Sequence, residues 1–171
     1  MEFSIRPVSQ EDVPFLWEML YYAAHMAEDG AASAEAARTN PRLSMWVDDW
    51  GRDRDRGVVA CELRGSRKLG AAWLRLLPAG ASSGYVDDET PELAIAVLPE
   101  CTGQGIGSAL LAALIEAVRP EFPAIVLTVR DGNPARRLYE RHGFVTIDRV
   151  TNRAGTQSSK MLLRFRQGGA S

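Results

Sequence analysis

The chain has 171 residues, 46% of them hydrophobic, and sets 20 Lys and Arg against 22 Asp and Glu for a formal net charge of −2. That is enough apolar material for one sizeable core with no Pro/Gly/Ser linker to divide it, so a single α/β domain is expected over 1–166, with 167–171 as a disordered tail. The charge balance argues against a broad basic face, no apolar run approaches ~18 residues and no signal-peptide pattern opens the chain, so no nucleic-acid or membrane partner is expected and a cytoplasmic location is the default.

Phe3 to Val8 reads as a strand, after which Ser9 can cap a helix with Asp12 three residues on. Val13, Leu16, Trp17 and Leu20 recur at helical spacing and should face a sheet. Ala23 to Asn40 is weakly patterned. Asn40-Pro41 then reads as a cap with Pro in the first turn, and Leu43, Trp46, Val47 and Trp50 make a second stripe up to Gly51. The alternating charges of Arg52 to Arg56 suit a solvated loop. Strands follow at Val58–Leu63 and Leu69–Leu77, joined as a hairpin through Arg64 to Arg67. Leu93–Leu98 and Ile125–Val129 are apolar on both faces, as central strands are. A final pair at Phe144–Val150 and Lys160–Phe165 brings the mixed sheet to about seven strands, flanked by helices on both faces. No repeat is visible.

The feature that carries most chemistry lies between the strand ending at Leu98 and the apolar helix from Ala109 to Val118: Gly103-Gln104-Gly105-Ile106-Gly107-Ser108. Glycines let the backbone approach an anion, and a helix start favours negative charge. A P-loop would need Lys after the last Gly, where Ser108 stands, and the dinucleotide fingerprint would need a third Gly at that same position. Both alternatives fit poorly. A second block follows, Asn133-Pro134-Ala135-Arg136-Arg137-Leu138-Tyr139-Glu140-Arg141-His142-Gly143-Phe144.

With Pro99 closing the strand, the two blocks in this order resemble the GCN5-related N-acetyltransferases, over nearly the whole chain from Ile5-Arg6-Pro7 to the strand near Met161. The resemblance implies that Thr102 to Ser108 cradle the diphosphate of acetyl-CoA and that the second block carries a tyrosine near the thioester sulfur. It also implies that the backbone groups of Ile95 and Val97 bond the pantetheine and polarise the acyl carbonyl. One departure is that the cradle's usual Arg or Gln is Thr102 here, preceded by Cys101, so a cation contact to phosphate is missing.

Acyl transfer to an amine needs a neutral nucleophile, a stabilised oxyanion and a proton for the departing thiolate. Glu92, at the start of the central strand, is the candidate base, against the plainer reading of a strand-end carboxylate in solvent. Tyr139 is the candidate acid, against that of a core aromatic. Asn133 can cap the helix and reach the pantetheine, and Arg136 or Arg137 suits the cofactor's 3′-phosphate. Cys61 and Cys101 suggest neither a disulfide nor a metal site, and His25 and His142 have no ligand spacing, so no metal is expected.

The acceptor, by resemblance, meets Trp17, Tyr21, Tyr22, His25, Trp46 and the loop Ala79 to Pro91. Aromatics near Asp87, Asp88 and Glu89 would suit a cationic small-molecule or peptide amine. The expected function is acetyl-CoA-dependent N-acetylation by direct attack, with no acyl-enzyme. The alternative is an acyl-CoA-binding sensor or regulatory module of the same fold. Self-association into a homodimer is left open.

Overall fold

In the computed structural model, residues 2–26, 30, 33 and 35–165 are described. The expected tail at 167–171 lies outside them. The chain groups into two compact units, residues 1–75 with 94–116, and residues 76–93 with 117–171.

The first unit begins with strand β1 (Phe3–Pro7), a 3-10 turn at Gln10–Asp12 and helix α1 (Val13–Ala23). Short helices α2 (Glu35–Arg38) and α3 (Pro41–Ser44) precede strands β2 (Arg56–Glu62) and β3 (Lys68–Arg75). Strand β4 (Glu92–Val97) gives its first two residues to the second unit and the rest to the first. Helix α4 (Ile106–Val118) follows. In the second unit are β5 (Ala124–Arg130), helix α5 (Ala135–Arg141), β6 (Val145–Thr151) and β7 (Gln157–Arg164).

Strands β1-β2-β3-β4 are neighbours in that order, and β4 is followed by β5, β7 and β6, which makes a mixed sheet of seven strands. Glu92 pairs with Val126 in the parallel β4–β5 ladder, whereas β1–β2, β2–β3, β5–β7 and β6–β7 are antiparallel. The α/β class and strand count agree with the sequence. The apolar runs of β3 and β5 are buried almost throughout, as strands covered on both faces must be. Leu16, Trp17 and Leu20 of the α1 stripe are buried as its spacing required, and Val13 is half-buried.

The stretch from Leu43 to Trp50 departs from expectation. Its stripe predicts a helix to Gly51, yet α3 ends at Ser44, and Asp49 and Gly51 take left-handed φ values of 55° and 113°. The reason lies on β3. Nη1 of Arg75 donates to the carbonyls of Met45 (2.9 Å) and Asp48 (2.6 Å), and Nε1 of Trp73 donates to that of Trp46 (3.0 Å). Carbonyls that a helix would bond to its own amides are taken by two core side chains, so the turn structure replaces the helix. Arg75 also grips Asp55 with two parallel bonds, Nε to Oδ1 at 3.0 Å and Nη2 to Oδ2 at 2.7 Å. Both side chains are buried, at 1% and 4% exposure, so Asp55 is not part of a solvated charge run.

A second buried carboxylate fixes the start of the chain. Asp12 accepts two bonds from Arg6 (2.7 and 2.9 Å), one from the Ser9 amide (2.8 Å) and an ion pair from Lys68 at 2.8 Å. The Arg6 hydrogen bond outweighs burial and, with Lys68, holds this carboxyl well below the usual range. A depressed native value means the stabilisation is complete above the unfolded carboxyl's ~4 and fades as pH falls below it. Asp12→Ala should cost about 2 kcal/mol at pH 7, discounted because both cations are partly exposed, and wild type and variant should converge in urea midpoint as the pH is lowered through 4. An unchanged difference at pH 2.5 would remove Asp12 from the acid response.

Candidate active site

Strand β4 loses burial along its length: Glu92 to Ala94 are buried, while Ile95, Ala96 and Val97, in the first unit, are half-buried. The Leu98 amide donates to the Leu69 carbonyl at 2.8 Å, and Pro99–Cys101 form a 3-10 turn. Thr102 to Gly105 are exposed, and Gly103 and Gly105 adopt φ values of 77° and 81°, a region open to Gly and strained for other residues. A Cβ added at either glycine would meet no atom within 4 Å, so glycine is required here by the backbone conformation and not by crowding. Helix α4 starts at Ile106, three residues earlier than the sequence suggested, and the Gly105 carbonyl already accepts from Ala109 at 3.1 Å. The start of a helix favours negative charge, which suits an anion.

The side chains around this loop are mostly committed. Ile106 is buried, leaving only its backbone to serve a ligand, while Gly107 and Ser108 are half-buried. Thr102 donates its hydroxyl to the Pro99 carbonyl at 3.0 Å. Cys101 is 1% exposed, which places its thiol in the core.

In the second unit, α5 carries Tyr139, whose ring is buried and meets Phe144 edge-on at 6.1 Å. Burial pushes its phenol up to about 12, so the group holds its proton throughout the neutral range. Asn133 accepts the Ala135 amide at 2.9 Å, which fixes the start of α5 as its capping signal required. Arg136 donates to Glu140, Ser159 and Thr146, each at 3.0 Å, tying α5 to β6 and β7; its neighbour Arg137 is exposed.

Glu92 is 3% exposed, which rules out the solvated strand-end reading. Burial raises its carboxyl, and the Ser82 hydrogen bond and the charge of Lys160 pull it back down. Ser82 Oγ donates to Oε1 at 2.6 Å, and Oε2 is buried with no hydrogen-bond partner among the described residues. An oxygen of this kind is costly unless it handles a proton or an incoming donor.

A model of the Acetyltransferase (GNAT) family matches residues 17–144. The chain belongs to that family. Solved structures share the GNAT fold at low identity. The yncA protein of Salmonella typhimurium, solved with its cofactor acetyl-CoA, superposes with a TM-score of 0.71 at 20% identity, covering 100% of this chain and 98% of that one. A ribosomal-protein-alanine N-acetyltransferase of Brucella melitensis gives 0.69 at 21% identity, over 95% and 99%. The aminoglycoside acetyltransferase AAC(6')-Ib, in complex with coenzyme A, gives 0.64 at 20% identity, over 95% of each chain. No significant match is found among curated protein sequences.

Among GNAT residues that the resemblance marked for the acceptor, Trp17 is buried beneath the Arg38 guanidinium (4.7 Å), while Tyr21 and Tyr22 are half-buried and meet edge-on at 5.3 Å. His25 turns the chain with φ 55°. In the other unit the acidic loop is internally braced: Asp87 accepts from Glu89 and Thr90 at 2.9 Å, and Asp88 accepts from the Tyr85 hydroxyl. Sequence reasoning missed Ser82, Gly84 and Lys160. Ser82-Ser83-Gly84 reads as ordinary turn material, and only the fold brings it against Glu92. No described helix is long and apolar enough to cross a membrane.

Proposed function

We propose that this GNAT protein is an acetyl-CoA-dependent N-acetyltransferase, a single domain over 1–166, that acetylates a primary amine of a small molecule or peptide by direct attack. The observation that carries this is the open loop with left-handed Gly103 and Gly105 ahead of α4, a backbone cradle suited to a diphosphate. Acetyl-CoA supplies an activated acetyl thioester when bound. Backbone amides of Gly103, Gln104, Gly105, Ile106, Gly107 and Ser108 would hold its diphosphate. Ile95 and Val97 would offer main-chain groups to the pantetheine and the acyl oxygen, Asn133 a side-chain amide, and Arg136 its remaining donors or Arg137 its whole guanidinium to the 3′-phosphate.

Glu92 takes the proton that an acceptor amine, with a pKa near ~10, must shed before it can attack. Tyr139, protonated at all neutral pH values, gives its proton to the departing sulfur. AAC(6')-Ib is named for aminoglycosides and the Brucella protein for a ribosomal protein's alanine, so family likeness supports an amine acceptor without choosing among amines.

A sensor that only binds acyl-CoA is the second reading, favoured by Thr102 in place of a cation. Release of free thiol that requires both acetyl-CoA and an amine establishes catalysis; thermal stabilisation by acetyl-CoA with no thiol release across a broad amine panel selects the sensor. Thr102→Arg should tighten acetyl-CoA about tenfold in calorimetry by restoring a charge-assisted phosphate contact. A weaker complex would count against Thr102 as the cradle's first position.

A further inference from the structure

Oε1 and Oε2 of Glu92 have unlike surroundings, and the difference traces to one hydroxyl. The Gly84 amide donates to Ser82 Oγ at 3.0 Å, which occupies a lone pair and directs the hydroxyl proton onto Glu92 Oε1 at 2.6 Å. Gly84 itself makes room: a Cβ there would lie 2.4 Å from Oε1 and 3.4 Å from Cγ2 of Thr128. Lys160, opposite Thr128 on β5, donates to the Tyr85 carbonyl and so anchors the same loop from β7. Oε2 is left buried and unpartnered among the described residues.

We propose that Ser82 is a positioning residue for Glu92: held by the Gly84 amide, its hydroxyl ties up Oε1 and leaves Oε2 as the oxygen that takes the acceptor's proton. The inference rests on the base role given to Glu92 above. In the step, the ammonium N–H bond breaks, the proton passes to Oε2 and the electron pair stays on nitrogen, so the carboxylate becomes a carboxylic acid and the amine becomes nucleophilic. Ser82 also makes that carboxylate available. Burial disfavours the charged form, and the groups that oppose it are the Ser82 hydroxyl from the loop and the Lys160 ammonium from β7.

The test pairs kinetics with carboxyl carbon-13 NMR of the full chain, using Glu92→Gln to assign the resonance. Ser82→Ala should move the Glu92 titration to higher pH, shift the acidic limb of kcat with it and lower kcat at neutral pH on the order of tenfold, leaving the KM for acetyl-CoA unchanged. Ser82→Thr should restore both readouts. Gly84→Ala, which keeps the hydroxyl but displaces the carboxylate, should also lower kcat. A Glu92 resonance that titrates at the same pH in Ser82→Ala sinks the role of Ser82 while leaving Glu92 as base. Full turnover in Glu92→Gln sinks the base reading, and the positioning role falls with it.

Discussion

Replacing Tyr139 by Phe is expected to lower kcat about a hundredfold while leaving acetyl-CoA affinity unchanged. The ring supplies the packing, since it is buried against Phe144, and Phe retains that contact; only the hydroxyl is lost. The expected loss lies at the low end of general-acid effects, because a phenol pushed up to about 12 parts with its proton less readily than an ordinary tyrosine. The same shift predicts the pH profile. A group protonated below about 12 produces no falling basic limb between pH 8 and 10, so any decline there must come from another group. Steady-state rates at saturating amine, with calorimetry of acetyl-CoA on both proteins, check the prediction. An unchanged kcat removes Tyr139 from the chemistry and returns it to the core.

Arg75→Met should destabilise the protein by about 3–5 kcal/mol, the largest stability effect expected of a single side chain here. The change leaves the Asp55 carboxylate buried without its guanidinium, and it strips the Met45 and Asp48 carbonyls of the donor that holds the 45–49 turns. Coulomb attraction alone is a poor guide to a buried pair, since desolvation offsets most of it; the cost comes from abandoning one charge and two carbonyls. The double variant Arg75→Met with Asp55→Leu should therefore recover part of the loss. Urea unfolding of the three proteins tests both statements. A deficit under 1 kcal/mol for Arg75→Met would mean that water reaches Asp55 readily.

Much of the sheet was legible because its strands advertise themselves. The expected strand at Leu93–Leu98 lies within one residue of β4 at each end, and Ile125–Val129 lies within β5, since apolar runs bounded by Pro and Gly leave few alternatives. The glycine turn ahead of α4 was equally plain, because left-handed backbone there calls for Gly at Gly103 and Gly105. The stripe Leu43–Trp50 misled for the opposite reason: its periodicity records which residues are buried, whereas the backbone follows hydrogen bonds sent by Trp73 and Arg75 from more than twenty residues away. Arg52 to Arg56 looked like solvated charges because alternation in sign carries no information about a distant buried partner for Asp55.

Local chemistry in the chain thus determined the family and the α/β class, and marked the loop at Gly103–Ser108, Glu92 and Tyr139 as the groups worth testing. Tertiary packing alone decided the state of those groups. Burial raises the Tyr139 phenol and the Glu92 carboxyl, and the position of Ser82 and Lys160 opposes it at Glu92. Desolvation depends on every neighbour that displaces water, and those neighbours come from strands and loops far apart in the chain, so no local pattern encodes it.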